Sequence, residues 1–307
     1  MEAARSQVRT ESYTIEHSDG QKLYIKRFYT NHNAPPVLML HGSVENGRIF
    51  YSKSGKGFAP YLADQEFDVF VPDLRGRGKS VPPISRNAKY GLKEIIQEDL
   101  PAVINKIKEL KGNVPQHWVA HSWGGVLLLA FLAKNPSFVS VASLVFFATK
   151  RRISIQNIKK IYMIDLCWNW IGKLFILKYG YLPAKEFKLG SDNESAKTHS
   201  ETNKWIYAKK WIDWNDGFDY AAELNSMKLP PILSLAGIGD KVLGHPKDAQ
   251  ILLDEIGMPN ESVHILSKQN GNHHNYGHID ILTHPDCKKD HFPFAAQWMH
   301  DQQPIDL

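Results

Sequence analysis

The sequence predicts an α/β fold in which a mostly parallel central sheet carries helices on both faces. Short apolar runs, typical of strands buried on both faces, alternate with segments of helical periodicity. This alternation is interrupted once and then resumes, which indicates an insertion into one architecture. With 307 residues, of which 43% are apolar, the chain is long enough to bury the core of one large domain.

The predicted elements follow this alternation along the chain. Residues 11–17 and 23–28 alternate in polarity around the turn Ser18-Asp19-Gly20, which is typical of an antiparallel hairpin. Buried strands are predicted at residues 36–40, 67–72, 116–120, 139–147, 232–236 and 263–266. Helices are predicted at residues 58–64, 92–110, 126–134, 246–256 and about 286–299. Pro101 lies inside the second helix and predicts a kink or a new first turn there.

The interruption spans residues 150–228 and predicts a cap of helices and loops, without a buried strand, inserted into a core of residues 1–149 and 229–307. The cap has fourteen basic and nine acidic residues, so it carries the whole net charge of +5. It also contains five of the eight tryptophans, namely Trp168, Trp170, Trp205, Trp211 and Trp214. A basic, aromatic cap predicts peripheral contact with a membrane surface or an anionic substrate. The alternative is a solvated helical surface over buried tryptophans.

The segment from Val119 to Gly125 predicts a sharp turn between a strand and a helix, with Ser122 at its tip. Such a turn brings the strand and the helix close together, so the residues two before and two after the serine must be small. These residues are Ala120 and Gly124, which differ by one methyl group from the pattern G-x-S-x-G. The turn predicts an exposed nucleophilic serine, and the alternative is a Ser-Gly-rich turn without chemistry.

Four further polar segments follow predicted strands, at the edge where open α/β sheets form their sites. They are His41-Gly42-Ser43, Asp73, Gly237-Ile238-Gly239-Asp240 and Gly277-His278-Ile279-Asp280. A serine hydroxyl needs an adjacent base, and that base needs an acid to orient it. Ser122, His278 and Asp240 supply a nucleophile, a base and an acid along one edge of the predicted sheet.

Two of these assignments have rivals in the sequence. The rival acids are Asp216, Asp219 and Asp280, and the rival bases are His273, His274, His284 and His291. A zinc site built from His273, His274 and His278 is disfavoured, because adjacent histidines point in different directions and no carboxylate has a matching spacing. We therefore predict no metal and no cofactor. His41, Asp73 and Arg75 are interpreted as structural residues.

Together these motifs resemble the α/β-hydrolase superfamily over about residues 10–300. The resemblance rests on His41-Gly42, the Ser122 turn, Asp240, Gly-His-x-Asp at 277–280, and Asp-x-Arg-Gly-x-Gly-x-Ser at 73–80. Three phrases resemble the acid-lipase branch, which includes the lysosomal and gastric lipases: residues 57–70, 99–104 and 278–281. Lipases of that branch are usually secreted.

The resemblance implies a serine carboxylic-ester hydrolase that forms an acyl-enzyme on a hydrophobic or lipid-like ester. Ser122, His278 and Asp240 would form the catalytic triad, and the backbone N–H groups of Ser43 and Trp123 would form the oxyanion hole. Thioesterases, amidases, C–C bond hydrolases and acyltransferases use the same constellation and stay as alternatives. Epoxide hydrolases and dehalogenases are disfavoured because those relatives have aspartate at the position of Ser122. A binding module that kept the fold is the alternative outside enzymes.

Composition restricts the setting of this chemistry. The two cysteines, Cys167 and Cys287, make no disulfide framework, and no nucleic-acid-binding motif is present. No signal peptide is visible in residues 1–20, and the longest apolar helical run, residues 126–133, is too short to span a bilayer. These features predict a cytoplasmic protein and leave its oligomeric state open. The partner that the resemblance implies is a small hydrophobic ester.

Overall fold

A computed structural model describes residues 7–302, and a single central sheet organises them. The strands of the central sheet are β1 (Arg9–Glu16), β2 (Lys22–Tyr29), β3 (Pro36–Leu40), β4 (Asp68–Asp73), β5 (Gln116–His121), β6 (Val141–Phe147), β9 (Ile232–Gly237) and β10 (His264–Leu266). Two further strands, β7 (Tyr181–Leu182) and β8 (Glu194–Ser195), form a separate two-stranded ribbon. The two ends of the predicted core, residues 1–6 and 303–307, lie outside the described residues.

The eight-stranded sheet has the order β1-β2-β4-β3-β5-β6-β9-β10. β1 and β2 form the predicted antiparallel hairpin, and β2 also pairs antiparallel with β4. The other six strands pair in parallel. Parallel strands end at the same edge of a sheet, so the carboxyl ends of β3, β4, β5, β6, β9 and β10 come together. The predicted α/β fold with a mostly parallel sheet is confirmed.

Helices cover both faces of this sheet. In chain order, the helices of the described residues, including those of the 150–228 segment, are α1 (Phe58–Asp64), α2 (Leu92–Glu94), α3 (Leu100–Lys111), α4 (Trp123–Lys134), α5 (Ile158–Lys160), α6 (Gly172–Tyr179), α7 (Ala196–Tyr207), α8 (Tyr220–Ser226), α9 (Pro246–Glu255), α10 (Asp280–Thr283) and α11 (His291–His300). Strand β3 shows the two layers directly. Leu38 and Leu40 pack into the core formed with α3 and α4, whereas Val37 and Met39 pack into the core formed with α1 and α11.

Pro101 lies where the sequence predicts an irregular helix. The helix runs without a break from Leu92 to Lys111, but residues Ile95–Asp99 form a wider π-helical segment immediately before α3. Proline lacks the N–H that would bond to the preceding turn, and a π turn alters the hydrogen-bond spacing at that point. The irregularity therefore takes the form of a π turn before the proline.

The last predicted helix differs from the structure. Residues Pro285–Lys289 form a 3₁₀ helix and α11 follows, so the continuous helix predicted at 286–299 is wrong. The break falls at Asp290, whose carboxylate accepts hydrogen bonds from the backbone N–H of His273, the amide of Asn272 and the hydroxyl of Tyr276. Asp290 leaves the helical conformation because it ties down the polar loop before α10.

The segment of residues 150–228 is largely helical, with one unpredicted feature. Residues Ile158 to Tyr179 form one continuous helix, made of α5, a π-helical segment over Ile161–Ile171, and α6. The unpredicted feature is the antiparallel ribbon of β7 and β8; its second strand is buried, so the prediction of a segment without a buried strand is wrong. Two-residue strands are too short to show a periodicity, so no sequence pattern indicates them.

Candidate active site

Ser122 lies between the last residue of β5 and the first residue of α4, at the carboxyl edge of the sheet. Its backbone has φ 51° and ψ −122°, and residues other than glycine rarely adopt such a positive φ. Its N–H donates to the carbonyl of Phe147 at 2.9 Å, which fixes the turn to the neighbouring strand β6. The sharp turn predicted at Ser122 is present.

Close packing explains the small residue after the serine. A Cβ atom on Gly124 would overlap the carbonyl oxygens of Leu40 and His41, which end strand β3. Ala120, the residue two before the serine, is completely buried in β5. The first turn of α4 therefore rests directly on the end of β3, and glycine is the residue that permits this contact.

A chain of hydrogen bonds leads from Ser122 to a histidine and an acid. The Nε2 atom of His278 lies 3.1 Å from the Oγ atom of Ser122. On the other side of the ring, Nδ1 donates to Oδ2 of Asp240 at 2.6 Å. The Oδ1 atom of Asp240 accepts hydrogen bonds from the N–H groups of Val242 and Leu243, at 3.1 and 2.8 Å. The structure thus brings together the three residues selected from the sequence.

The rival residues have other partners in residues 7–302. His274 contacts Asp286 at 2.7 Å, His291 contacts the carbonyl of Ile281, and His273 is held at its backbone by Asp290. The fourth rival histidine, His284, accepts from the N–H of Asp286 at 3.2 Å. Asp216 pairs with Lys134, Asp219 caps α8, and Asp280 accepts from the N–H of Gly277. Among the sequence candidates in the described residues, His278 and Asp240 are the histidine and the carboxylate that form the hydrogen-bonded series with Ser122.

Burial controls the protonation of this pair. Burial lowers the pKa of His278 below its usual value, and the hydrogen bond to Asp240 works against this effect without cancelling it. For Asp240, burial alone would raise the pKa, but the bond from His278 and the two backbone N–H donors hold it below the usual range. Near neutral pH the site therefore holds a neutral imidazole beside an ionised carboxylate, which is the state of a general base and its orienting acid.

Ser43 and Trp123, the residues selected for the oxyanion hole, flank Ser122 on two sides. Trp123 is the first residue of α4, so its N–H has no acceptor within the helix. The loop that carries Ser43 presses against the nucleophile, because a Cβ atom on Gly42 would lie 2.9 Å from the Cβ atom of Ser122. The hydroxyl of Ser43 is buried without a hydrogen-bond partner in the described part of the chain.

Residues of the 150–228 segment form hydrogen bonds with the loop that carries Ser43. The N–H groups of Ser191 and Asp192 donate to the carbonyl of Val44 at 2.8 and 3.1 Å. The amide of Asn46 donates to the carboxylate of Asp192 at 2.5 Å. We call residues 190–194 the anchor segment, because it binds the loop after β3 through backbone and side-chain contacts.

Two further residues of the site were missed by sequence reasoning. Glu45 accepts hydrogen bonds from the N–H of Gly42 at 2.9 Å and from Nδ1 of His121 at 2.8 Å. His41, in contrast, has the structural role expected from the sequence: it contacts the carbonyl of Gly42 and accepts from the N–H of Leu74. The sequence signals that could have indicated the missed residues are the position of Glu45 in the loop after buried strand β3 and the position of His121 immediately before Ser122.

Two groups of side chains have potential metal-ligand atoms within 4.8 Å of one another in the described residues. One consists of Glu45, His121 and His278, whose donor and acceptor atoms already hydrogen-bond within the protein. The other consists of His274, His284 and Asp286, near the surface. The zinc ligand set weighed from the sequence is not brought together, because His274 contacts Asp286 instead of His278.

Comparison with known proteins identifies the fold and the sequences that this chain resembles. A family model described as the alpha/beta hydrolase fold matches residues 35–162, which include β3 to β6 and the Ser122 turn. The chain has the α/β-hydrolase fold, and its sequence resembles lipases.

Particular relatives make the resemblance concrete. The chain is 25% identical over 162 residues to lipase lipl-3 of Caenorhabditis elegans and 26% identical over 160 residues to human lipase member K; each match covers 48% of this chain. The chain spans only 40% of the length of each of these lipases. A thermophilic esterase from Thermogutta terrifontis superposes with a TM-score of 0.59 at 17% identity, over 94% of this chain and 98% of the esterase.

Proposed function

We propose that this protein is a serine carboxylic-ester hydrolase that acts on a hydrophobic or lipid-like ester. The observation that carries the proposal is the hydrogen-bonded series Ser122, His278 and Asp240 at a strained turn between β5 and α4. Lipases among the sequence relatives and esterases among the similar structures support the choice of an ester bond.

In the proposed reaction, His278 removes the proton of the Ser122 hydroxyl as its oxygen attacks the ester carbonyl carbon. Asp240 keeps Nδ1 of His278 protonated and stabilises the imidazolium that forms. The imidazolium then donates its Nε2 proton to the departing alcohol, which leaves an acyl-enzyme on Ser122. Water, deprotonated by His278, hydrolyses this ester and restores the serine.

Negative charge develops on the carbonyl oxygen during both steps. We assign its stabilisation to the backbone N–H groups of Ser43 and Trp123, with the Ser43 hydroxyl as a candidate third donor. Donors fixed before the reaction need no reorganisation, and each typically contributes roughly 3–4 kcal/mol to transition-state stabilisation. The N-terminus of α4 adds a partial positive charge beside the same position.

Labelling with a fluorophosphonate probe tests the nucleophile. We expect the unmodified protein to react and Ser122→Ala to show no labelling, because the probe needs an activated serine oxygen. Ser143→Ala is a matched control: Ser143 is also buried and contacts a histidine, His117, at 2.8 Å, but it lies inside strand β6. Loss of labelling in Ser143→Ala, or retained labelling in Ser122→Ala, would contradict the assignment.

A series of nitrophenyl esters from acetate to palmitate tests the substrate class. We expect kcat/KM to rise from acetate towards longer acyl chains, since apolar contacts bind the chain. Faster turnover of thioesters or amides of matched chain length would replace the ester assignment with one of the alternatives above.

We further propose that the helix from Ile158 to Tyr179 lies on an anionic lipid surface. Apolar side chains are exposed on its surface, and apart from the adjacent pair Ile161 and Tyr162 they recur three or four residues apart: Ile158, Ile161, Tyr162, Leu166, Trp170, Leu174 and Leu177. Lys159, Lys173 and Lys178 are exposed beside them, whereas the one acid of this helix, Asp165, pairs with Lys160. An apolar stripe flanked by lysines is typical of helices that lie in the interface of acidic membranes.

Sedimentation with vesicles tests this contact. We expect binding to phosphatidylserine-containing vesicles and weaker binding to phosphatidylcholine vesicles. Leu177→Ser should weaken binding about tenfold, the effect of losing one buried leucine side chain. Val114→Ser is the control, because Val114 is also exposed but lies just before β5, away from the cap. Equal binding to both vesicle types would contradict the proposal that the lysines of this helix bind an anionic lipid surface.

The division into a core and a cap at residues 150–228 is part of this proposal, as is a cytoplasmic location. Residues 7–302 contain no helix with the length and apolar character that a membrane crossing requires. Fractionation of cells that express the tagged chain tests the location, and recovery from the medium would contradict it.

A further inference from the structure

Glu45 and His121 form a buried pair at the centre of the candidate site, and the proposed reaction does not use either side chain. His121 is completely buried and Glu45 is 7% exposed. One carboxylate oxygen of Glu45, Oε2, accepts both from the N–H of Gly42 and from the ring of His121. The other ring nitrogen of His121, Nε2, lies 2.9 Å from the backbone carbonyl of His278.

Both ring nitrogens of His121 therefore face acceptors, which determines where the protons are. A carbonyl oxygen only accepts hydrogen bonds, so Nε2 must carry a proton. Nδ1 faces a carboxylate and must also carry one when Glu45 is ionised. Burial opposes both charges, but the mutual attraction raises the pKa of His121 and lowers that of Glu45. The pair is thus an imidazolium bound to a carboxylate, with no net charge.

These hydrogen bonds connect the three segments that the reaction needs. Glu45 holds Gly42, which precedes the proposed oxyanion donor Ser43. His121 precedes the nucleophile Ser122 in the chain and holds the backbone of the base, His278. The contacts of His121 with Glu45 and with His278 join residues that are 76 and 157 positions apart, so no local structure would keep these segments in register.

We propose that Glu45 and His121 act together as a positioning pair that holds the Ser43 loop and the His278 loop in register with Ser122. This inference rests on the proposed serine hydrolase function. The pair touches neither substrate nor the reacting atoms, and it acts through the backbone of its neighbours.

The pair also places a positive charge beside the base. The ring centroids of His121 and His278 are 4.7 Å apart, and the charged groups that face His278 are Asp240, His121 and Glu45. The imidazolium of His121 disfavours a second positive charge on His278, and this effect on the pKa of His278 exceeds the opposite effect of the Glu45 carboxylate. Removal of the pair should therefore raise the pKa of His278.

The isosteric variant Glu45→Gln tests the proposal. A glutamine can still accept from Gly42, but it cannot balance an imidazolium, so His121 becomes neutral and loses one of its two N–H donors. We expect kcat to fall about 10²-fold with KM nearly unchanged, since a displacement of about 1 Å has this effect on a catalytic arrangement. The acid limb of the kcat/KM profile should move to higher pH.

A matched control separates positioning from loss of a buried carboxylate. Asp68 is fully buried and pairs with Arg27 at 2.7 Å, at the start of β4, on the opposite edge of the sheet. Asp68→Asn should lower the stability of the protein without changing kcat or the pH profile. His121→Gln should resemble Glu45→Gln, and the double variant should lose no more activity than the worse single variant, because the two residues act as one unit.

Nitrogen NMR of the unmodified, histidine-labelled protein gives a readout that needs no variant to fold. We expect both ring nitrogens of His121 to carry protons at pH 7, and one bare nitrogen would overturn the bridge. A Glu45→Gln variant with kcat within threefold of the parent and an unmoved pH profile would overturn the positioning role. Absence of labelling and ester hydrolysis in the unmodified protein would instead overturn the proposed function.

Discussion

Ser122 shows how the site depends on a single unfavourable backbone conformation. A left-handed φ at a residue with a side chain costs on the order of 1–3 kcal/mol and persists only where the surroundings impose it. Here the N–H bond to Phe147 and the packing of α4 against the end of β3 impose it. The strained turn directs the hydroxyl away from its own helix and toward His278.

The protonation of His278 predicts the pH dependence of the reaction. In the proposed reaction His278 is active as a base when it is neutral, and burial lowers its pKa below the usual value of 6.5. The rate of the proposed reaction should therefore be at its maximum at pH values above 6.5 and should fall as the pH decreases through the lowered pKa of His278. We expect the acid limb of kcat/KM to have its midpoint below pH 6.5, as measured with a short nitrophenyl ester in a constant-ionic-strength buffer. A midpoint above 7 would contradict a buried, neutral base.

The sequence indicated Ser122, His278 and Asp240 because they follow predicted strands, whose ends the edge rule for open sheets brings together. For His278, the Gly-His-x-Asp context and the resemblance to the α/β-hydrolase superfamily supported the choice among the rival histidines. Glu45 and His121 could not be selected in the same way. Their relation depends on the exact path of the loop after β3, and a glutamate in a polar loop is normally solvated.

Gly124 allows a test of the turn between β5 and α4. Gly124→Ala would place a methyl group against the carbonyl oxygens of Leu40 and His41, so we expect a loss of about 1–3 kcal/mol in the free energy of unfolding. Labelling of Ser122 by fluorophosphonate should also slow, because the helix and the serine shift together. Urea denaturation and labelling kinetics measure the two effects.

Gly172→Ala is the matched control for this substitution. Gly172 also lies in a helix, but a methyl group there would make ordinary contacts, the nearest at 3.4 Å from the carbonyl of Cys167. We expect a gain of roughly 0.5–1 kcal/mol from the reduced backbone entropy of the unfolded chain. Equal effects of the two substitutions would show that close packing at Gly124 is unimportant.

Strands and helices with a clear pattern were predicted within a few residues, and the misses have physical causes. The buried strands read as continuous apolar runs, which few other structures produce. The break at Asp290 depends on hydrogen bonds to residues 272–276, and the β7–β8 ribbon depends on pairing between residues about twelve apart. Tertiary contacts of this kind leave no local signal in the sequence.

The attachment of the anchor segment to the core predicts a large effect on stability. Arg77, in the loop after β4, and Glu194, in β8, form an ion pair that is 3% and 1% exposed. Glu194→Gln leaves the guanidinium buried without its counter-charge, so we expect a loss of about 3–5 kcal/mol in the free energy of unfolding. Urea denaturation followed by circular dichroism measures it.

Glu186→Gln is the control for this variant, because Glu186 precedes the same segment but is exposed. A surface change of this kind should stay within about 0.5 kcal/mol of the parent. If Glu194→Gln is as stable as Glu186→Gln, the buried pair does not fasten the anchor segment.

The anchor segment also has a consequence for the order in which the protein is assembled. The loop after β3 is made early in synthesis, but the partners of Val44 and Asn46 are residues 191 and 192, nearly 150 positions later. A ribosome-bound chain that ends before these residues contains the segments of strands β1 to β6 and of the Ser122 turn, but its Ser43 loop lacks the contacts of Val44 and Asn46. The Ser43 loop therefore waits for residues 191 and 192, and Asp240 and His278 are made later still, so the parts of the proposed site come together only after residue 278 has emerged.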